Sequence, residues 1–274
     1  GDRAPAGQVR QRIHRVRAKR VVLATGACER PLVYGNNDVP GNMLAGAVST
    51  YVRRYGVAPG RKLLPSTHND HAYRVALDWL DASLPVVAIA DARSNPRGAL
   101  VEEARAKGIR ILTGSAVIEA RGSKRVTGGR VAAIDLKAHR VTSPGEMLDC
   151  DLIATSGGYS PVVHLASHLG ARPIWREDIL GFVPGEAPQK RVCVGGINGV
   201  YSLGDTLADG FEGGARAASE AGFKAVEGGL PKALKHYEEP TLALFQVPHE
   251  KGTARAPKQF VDLQNDVTAA AIEL

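Results

Sequence analysis

The sequence has 274 residues, 44% of them apolar, with 31 glycines, 16 prolines and a net charge of +7 from 35 basic and 28 acidic side chains. A chain of that length and apolar content can bury a full core as one large domain or two smaller ones, and its aperiodic glycine and proline exclude collagen-like and disordered classes. Cys28, Cys150 and Cys193 lie far apart with no C-x-x-C spacing, which excludes a disulfide framework and a zinc site and points to a reducing, cytoplasmic setting.

The arginine-rich start (Arg10, Arg12, Arg15, Arg17, Lys19, Arg20) alternates with Val9, Ile13 and Val16. That alternation predicts a strand over 8–17 with one solvated basic face, and without interleaved aromatics it does not read as a nucleic-acid surface. No apolar run reaches membrane-spanning length, and the first residues lack a signal-peptide pattern. A second strand is predicted over 20–25, apolar throughout and suited to a sheet covered on both faces. It ends in Ala24-Thr25-Gly26, where the glycine permits a tight exit and the adjoining amides can face a nucleotide. Such an ending resembles the strand that closes the first nucleotide domain of dinucleotide-binding flavoproteins and reductases. The glycine-rich strand–turn–helix that normally precedes it is absent before Arg20, and the chain begins Gly-Asp. The expectation is a chain that starts partway through such a domain.

A turn-rich segment, Gly35 to Asn42, leads into a predicted helix from Leu44 to about Tyr55, and Pro59-Gly60 marks a boundary. Beyond it the pattern alternates: a short strand near Leu63-Leu64, a helix over 70–82, a strand over 85–91, a helix over 98–107 and a strand over 109–112. That alternation predicts a parallel sheet. The loop after Leu64 reads Pro-Ser-Thr-His-Asn-Asp-His and holds no glycine, whereas close backbone approach to a pyrophosphate needs glycines. With Pro65 expected to disturb the strand end, this unit reads as Rossmann-like but without a dinucleotide. His68 and His71 flank Asp70 with no third ligand in view, so an ordinary polar loop is the reading.

Next, Ala116–Arg121 and Arg130–Leu136 predict a hairpin around a turn at Gly128-Gly129, and Met147–Thr155 a strand returning to the core. Asp151 to Pro161 echoes the opening motif: apolar strand, Ala-Thr, glycines, proline. His164 and His168 share one face of a predicted helix and are assigned no role. Arg191 to Asp205 gives a third ending of the same kind, closing on Leu203-Gly204-Asp205 before Thr206 and an alanine-rich helix over about 213–227. At such an ending Gly204 lets backbone approach a cofactor, the Asp205 carboxylate can accept from a ribose or ribityl hydroxyl, and the helix N-terminus favours a pyrophosphate. The plainer reading makes Asp205 a helix cap. No G-x-S-x-G, H-E-x-x-H or paired carboxylates suggest a catalytic set, so the chain reads as binding rather than reacting.

Several stretches together resemble the α subunit of heterotetrameric sarcosine oxidase. They are Arg20–Pro31, Asn36-Asn37-Asp38 with Pro40-Gly41, Tyr51 through Tyr55-Gly56-Val57 with Pro59-Gly60, and Asn69-Asp70 with Ala72-Tyr73-Arg74. Further matches are Cys150-Asp151 with Ser156-Gly157-Gly158, Pro161 to Leu165, Phe260-Val-Asp262 and Gln264 to Thr268. The tail and the Asn-Asp-x-Ala-Tyr-Arg loop are its most specific parts. Opine oxidase and hydrogen cyanide synthase subunits share the Ala-Thr-Gly portion. Cys28 stands where the family more often has His, Pro65 interrupts a strand, and Ala271 replaces an expected acidic residue.

The resemblance implies an α/β, FAD/NAD(P)-binding reductase-type fold with an inserted second Rossmann-like domain and the first βαβ unit missing. Residues 1–58 would form the later part of the first dinucleotide-binding domain, 59–150 the insertion, 151–229 the return, and 230–274 a linker toward a downstream folate-binding module. It implies noncovalent NAD, with FAD as the alternative because Gly204-Asp205 is close to the generic flavoprotein form. FAD and covalent FMN are expected on the partner β subunit, with β, γ and δ subunits and tetrahydrofolate as partners. By motif position, Ala24, Thr25, Gly26, Asn198, Leu203, Gly204, Asp205 and Thr206 would face the cofactor. The implied reaction converts sarcosine, oxygen and tetrahydrofolate to glycine, hydrogen peroxide and methylene-tetrahydrofolate, with this chain not catalytic alone and holding a dinucleotide weakly by itself. Other readings are a free-standing pyridine-nucleotide reductase and a structural scaffold that binds no cofactor.

Overall fold

The computed structural model describes residues 7–224, 228–230, 233 and 241–272. The chain start, residues 225–227 of the predicted helix and most of 231–240 lie outside the described residues.

In chain order the elements are β1 (Val21–Leu23), β2 (Ala27–Glu29), β3 (Asn42–Leu44), α1 (Ala45–Tyr55), β4 (Leu63–Thr67), α2 (His71–Asp81), β5 (Ile89–Asp91), α3 (Ala99–Ala106), β6 (Ile111–Thr113), β7 (Ser115–Gly122) and β8 (Val126–Asp135). There follow β9 (Arg140–Val141), β10 (Glu146–Leu148), β11 (Leu152–Ser156), β12 (Tyr159–Pro161), β13 (Ile174–Arg176), β14 (Gly181–Val183), β15 (Arg191–Cys193), α4 (Leu203–Glu220), β16 (Phe260–Asp262), β17 (Val267–Thr268) and α5 (Ala269–Ile272).

The largest sheet is parallel, in the order β3-β11-β4-β5-β6. It draws two strands, Asn42–Leu44 and Leu152–Ser156, from outside residues 59–150. Alternation assigns its two faces. Leu63, Leu152 and Ala154 pack with Ala45 and Val48 of α1 and Val75 and Trp79 of α2. Leu64 and Ile153 point the other way, onto Val117, Ile118 and Val131 of the antiparallel β7–β8 pair. Both faces of β4 and β11 are therefore buried, which suits their apolar starts at Leu63-Leu64 and Leu152-Ile153. On the helical side α3 adds Val101 and Ala104 against Tyr73, Leu77 and Ile89.

Five expectations are corrected here. Residues 8–17 form no strand; Val9, Ile13 and Val16 are exposed and find no ladder among the described residues. Pro65 does not disturb the end of a strand but lies buried in the middle of β4, opposite Ala154. The β4–β5 ladder is interrupted between the Leu63–Val86 bridge and the Ser66–Ala90 pair, so the missing N–H falls where no partner is called for. The hairpin turns at 123–125 rather than at Gly128-Gly129, which pair with Arg121 and Ala120 inside the ladder. A side chain on Gly129 would meet Leu64 Cδ2 at 2.7 Å, so this glycine serves packing between the sheets. The predicted strand Met147–Thr155 is two strands in different sheets, and His164 and His168 sit in turns and a short 3₁₀ segment, not on an α-helix.

The described tail packs back on the body. Val33 bridges Gln246, and Asn36 N–H donates to Lys258 O at 2.8 Å. The Asn37 side chain exchanges two 2.8 Å hydrogen bonds with the backbone of Phe260. No helix among the described residues is long and apolar enough to cross a membrane.

Candidate functional site

β1 and β15 run parallel, with Leu23 opposite Cys193, so their C-terminal ends emerge side by side. Ala24-Thr25-Gly26 leaves one and Val194-Gly195-Gly196 the other. Gly26 turns the chain at φ 72°, a backbone region glycine enters without strain. A Cβ on Gly196 would lie 3.2 Å from Gly26 Cα and Ala27 N, so the two exits touch backbone to backbone. The Thr25 hydroxyl donates to Val162 O at 2.7 Å and Val162 N–H to Gly26 O at 2.9 Å, anchoring the first exit to β12.

α4 starts beside these ends. Its packing against β15 requires Gly213, where a Cβ would come within 2.2 Å of Val194 Cγ1. The expectation that Leu203-Gly204-Asp205 ends a strand is corrected: β15 ends ten residues earlier, at Cys193, and these three residues form the first turn of α4. Ser202 is the N-cap, its Oγ accepting from Asp205 N–H at 3.2 Å while its hydroxyl hydrogen goes to Asp205 Oδ2 at 2.7 Å. A Ser with an acidic residue three positions on is the capping pattern, and it starts the helix ten residues before the predicted 213. Thr206 Oγ1 donates to Val200 O at 3.0 Å. Asn198 is held by the strand end, donating to Cys193 O at 2.6 Å, and its carbonyl accepts from Arg176. Thr25, Gly26 and Thr206 are thus brought to one region; Ala24, Leu203 and Asp205 are exposed at its rim.

A cavity of about 350 Å³ opens here, lined by Ala27, His71, Arg74, Leu100, Tyr159, Gly196, Val200, Tyr201 and Thr206. It receives the first turns of both α2 and α4, whose amide-rich N-termini favour electronegative groups. The Tyr159 and Tyr201 rings stand 5.1 Å apart at 37°, and the His71 ring meets Tyr159 edge-on at 5.7 Å. Behind His71 lies Glu29, its side chain 8% exposed, with Oε2 accepting from Gly46 N–H at 2.7 Å at the otherwise uncapped start of α1. Glu29 Oε1, His71 Nε2 and Tyr201 Oη are buried without a hydrogen-bond partner. Burial holds the Glu29 carboxyl above the usual range, against the Gly46 amide and the Ser156 hydroxyl. Burial also depresses the His71 imidazole and raises the Tyr201 phenol, the latter opposed by Arg30 and Arg176. Glu29, Tyr159 and Tyr201 were not legible as site residues; only Tyr201, beside the Leu-Gly-Asp run, carried a positional signal.

The equivalent place in the parallel sheet is built differently. At the C-terminal ends of β4 and β5, Arg93 donates to Asp70 Oδ1 at 2.7 Å and forks onto Asp91, which also accepts from Tyr73 Oη at 2.7 Å. The side chains of Asp70, Asp91 and Arg93 are 4%, 0% and 6% exposed. Burial alone would lower the Arg93 guanidinium, but the bonds to Asp91 and then Asp70 more than offset this and raise it. In a dinucleotide-binding unit the acidic residue at the end of the second strand holds a ribose hydroxyl; here the protein's own arginine takes that carboxylate. His68 is wholly buried beside this network, and no group of metal-ligating side chains gathers among the described residues.

No family model matches the chain. Among solved structures, thioredoxin reductase of T. acidophilum superposes with a TM-score of 0.55 at 16% identity, covering 73% of this chain and 64% of that one. A 2-naphthoyl-CoA reductase gives 0.51 at 14% identity over 72% of this chain and 26% of that one. These likenesses show a reductase-type α/β fold. An opine oxidase subunit of Rhizobium meliloti is 28% identical over 83% of this chain and 52% of its own length. The sarcosine oxidase α subunit of Corynebacterium sp. (strain P-1) is 38% identical over 97% of this chain, and that of R. meliloti 37% identical over 94%. The chain spans 28% and 24% of the length of those two relatives. That near-complete similarity places the chain in the sarcosine oxidase α-subunit family, as the counterpart of about a quarter of such a subunit.

Proposed function

We propose that this chain is the dinucleotide-binding part of a sarcosine oxidase-type α subunit, and that the dinucleotide is NAD. One observation carries the reading: two parallel strands end in touching glycines directly beside the capped N-terminus of α4. The residues fit such a ligand, because the adjoining cavity is lined by the tilted Tyr159 and Tyr201 rings and by His71 and Tyr201, whose Nε2 and Oη lack partners. Ala24, Thr25 and Gly26 would supply backbone at the first exit. Gly204 and Thr206 would present the helix amides, and the Asp205 carboxylate, which accepts from Ser202, would face a ribose hydroxyl. Leu203 would cover the ligand from the rim, and Asn198 would act only by fixing the end of β15.

Bound NAD would supply a nicotinamide ring; this chain's residues bind and orient it. The whole protein would oxidise sarcosine with oxygen, passing the one-carbon unit to tetrahydrofolate, with FAD and FMN on the β subunit while β, γ and δ subunits complete the assembly. We place it in the cytoplasm. The test is to purify the protein from its full reading frame, denature it and identify the released nucleotide by mass. NAD supports the reading; FAD without NAD overturns the ligand. A second reading, an opine oxidase-type subunit, draws on the 28% identity to that relative; oxidation of opines but not of sarcosine by the assembled protein would favour it.

A further inference from the structure

The parallel sheet keeps one half of a nucleotide crevice open and closes the other. In such a sheet ligands lie outside the C-terminal ends of the strands, on the loops that follow them. Beyond β4 that place is closed. Asn69 Nδ2 donates to Ser156 O and Asn69 Oδ1 accepts from His71 N–H, each at 3.0 Å, so this side chain links the end of β11 to the start of α2, where bridging phosphates would sit. Beyond β5 and β6 the crevice is open. A cavity of about 760 Å³ is lined there by Ala92 and Ser94 after β5, Gly114 after β6, Ile134 and Lys137 around the end of β8, and Leu242 of the tail. Its back wall is stitched backbone: Gly114 N–H donates to Arg93 O at 2.8 Å and Ile134 N–H to Gly114 O at 2.9 Å. Gly114 holds φ at 61°, and a Cβ there would meet nothing within 4 Å. The wall is therefore bare peptide with open space over it, a surface on which a flat ring can lie. Ala92, Ile134 and Leu242 add apolar contact, while the Ser94 hydroxyl and the Lys137 ammonium stand at the exposed rim.

We propose that this cavity binds a nucleoside monophosphate, its base on the Gly114 wall and its single phosphate at the rim with Lys137 and Ser94. The inference goes beyond the dinucleotide reading above, because the cavity beside α4 shares no lining residue with this one. A dinucleotide does not suit it: Asn69 stands where a second phosphate would run toward α2.

The experiment is isothermal titration of the protein, expressed from its full reading frame, with AMP as the probe, first alone and then with NAD at saturation. An AMP site that persists under NAD is expected. S94W, whose indole would fill the cavity, should bind AMP about tenfold more weakly while its NAD affinity and thermal midpoint match the parent's. K137E should weaken AMP about fivefold and leave adenosine within about twofold, because only AMP brings a phosphate. Absence of AMP binding, complete displacement of AMP by NAD, or unchanged AMP affinity in S94W overturns the proposal. Equal effects of K137E on AMP and adenosine overturn the phosphate contact, and with it the assigned ligand class. Should S94W fail to fold, K137E, at an exposed position, decides alone. If NAD does not bind, the dinucleotide reading falls, and titration with AMP alone still tests this cavity.

Discussion

Asn37 and Phe260 pair as two strand residues would, although one partner is a side chain: Asn37 Nδ2 donates to Phe260 O and Phe260 N–H to Asn37 Oδ1, each at 2.8 Å. This contact ties the tail to the turn before β3, far away in sequence. N37A leaves both backbone groups of Phe260 unmatched and should cost about 1–3 kcal/mol. N37D keeps the acceptor and loses the donor, so it should fall between. Denaturation midpoints, with limited proteolysis between Phe245 and Phe260, would check both.

Removing Arg93 leaves the buried Asp70 and Asp91 carboxylates facing each other without their cation. R93A should destabilise by about 3–5 kcal/mol. R93K restores charge but not the fork that spans two acids, so it should recover only part of the loss. Urea unfolding of the three proteins would give the order parent, R93K, R93A.

His68 is held down to about 4 from its ordinary 6.5 by burial, with Arg30 and Arg93 adding repulsion. A histidine whose folded value is depressed takes up its proton more readily when unfolded. Stability from this group is therefore complete above pH 6.5 and falls as pH drops from there toward 4, by about 3 kcal/mol in all. H68F should flatten that part of the stability–pH curve while the carboxylate-dependent loss at lower pH remains. Unfolding at closely spaced pH values between 4 and 7 reads the difference.

Gly213 and Val194 meet where α4 crosses β15, and a Cβ on Gly213 would overlap Val194 Cγ1. G213A should destabilise by about 1–3 kcal/mol through overpacking. V194A removes the obstructing methyl groups, so the double variant should be more stable than the two single losses predict when added. A double-mutant cycle with equal and additive losses would show that the helix had moved instead.

Periodic features were the legible ones. The helix ending at Tyr55, where Gly56 enters the left-handed region, and the βα alternation from Leu63 to Thr113 read correctly, because each is set by neighbours within a turn or a strand. The apolar run before Ala24 does form a strand, but Val21 and Val22 are exposed rather than covered on both faces. Where the reading failed, distant contacts decided. Gly129 looked like a turn residue because nothing local shows Leu64 pressing on it from another sheet. Val9, Ile13 and Val16 alternate like a strand, but alternation supplies no partner strand. Asp205 was read as a strand end, although Ser202 three residues earlier is a helix-start signal within view. Glu29 and His71 could not be paired from sequence, because β2 and α2 meet only after the sheet between them has formed.

The position of β11 has a consequence for synthesis. Ala154 sits between Met43 and Pro65, so the strand that joins β3 to the rest of the sheet is the last of the five to leave the ribosome, roughly a hundred residues after β3. Until it arrives, β3 and β4 have no common neighbour and the apolar groove reserved for Leu152, Ile153 and Ala154 stays open. A nascent chain must therefore hold an unfinished sheet with a gap beside β4, a state that invites pairing with other chains and makes chaperone shielding most valuable during that window.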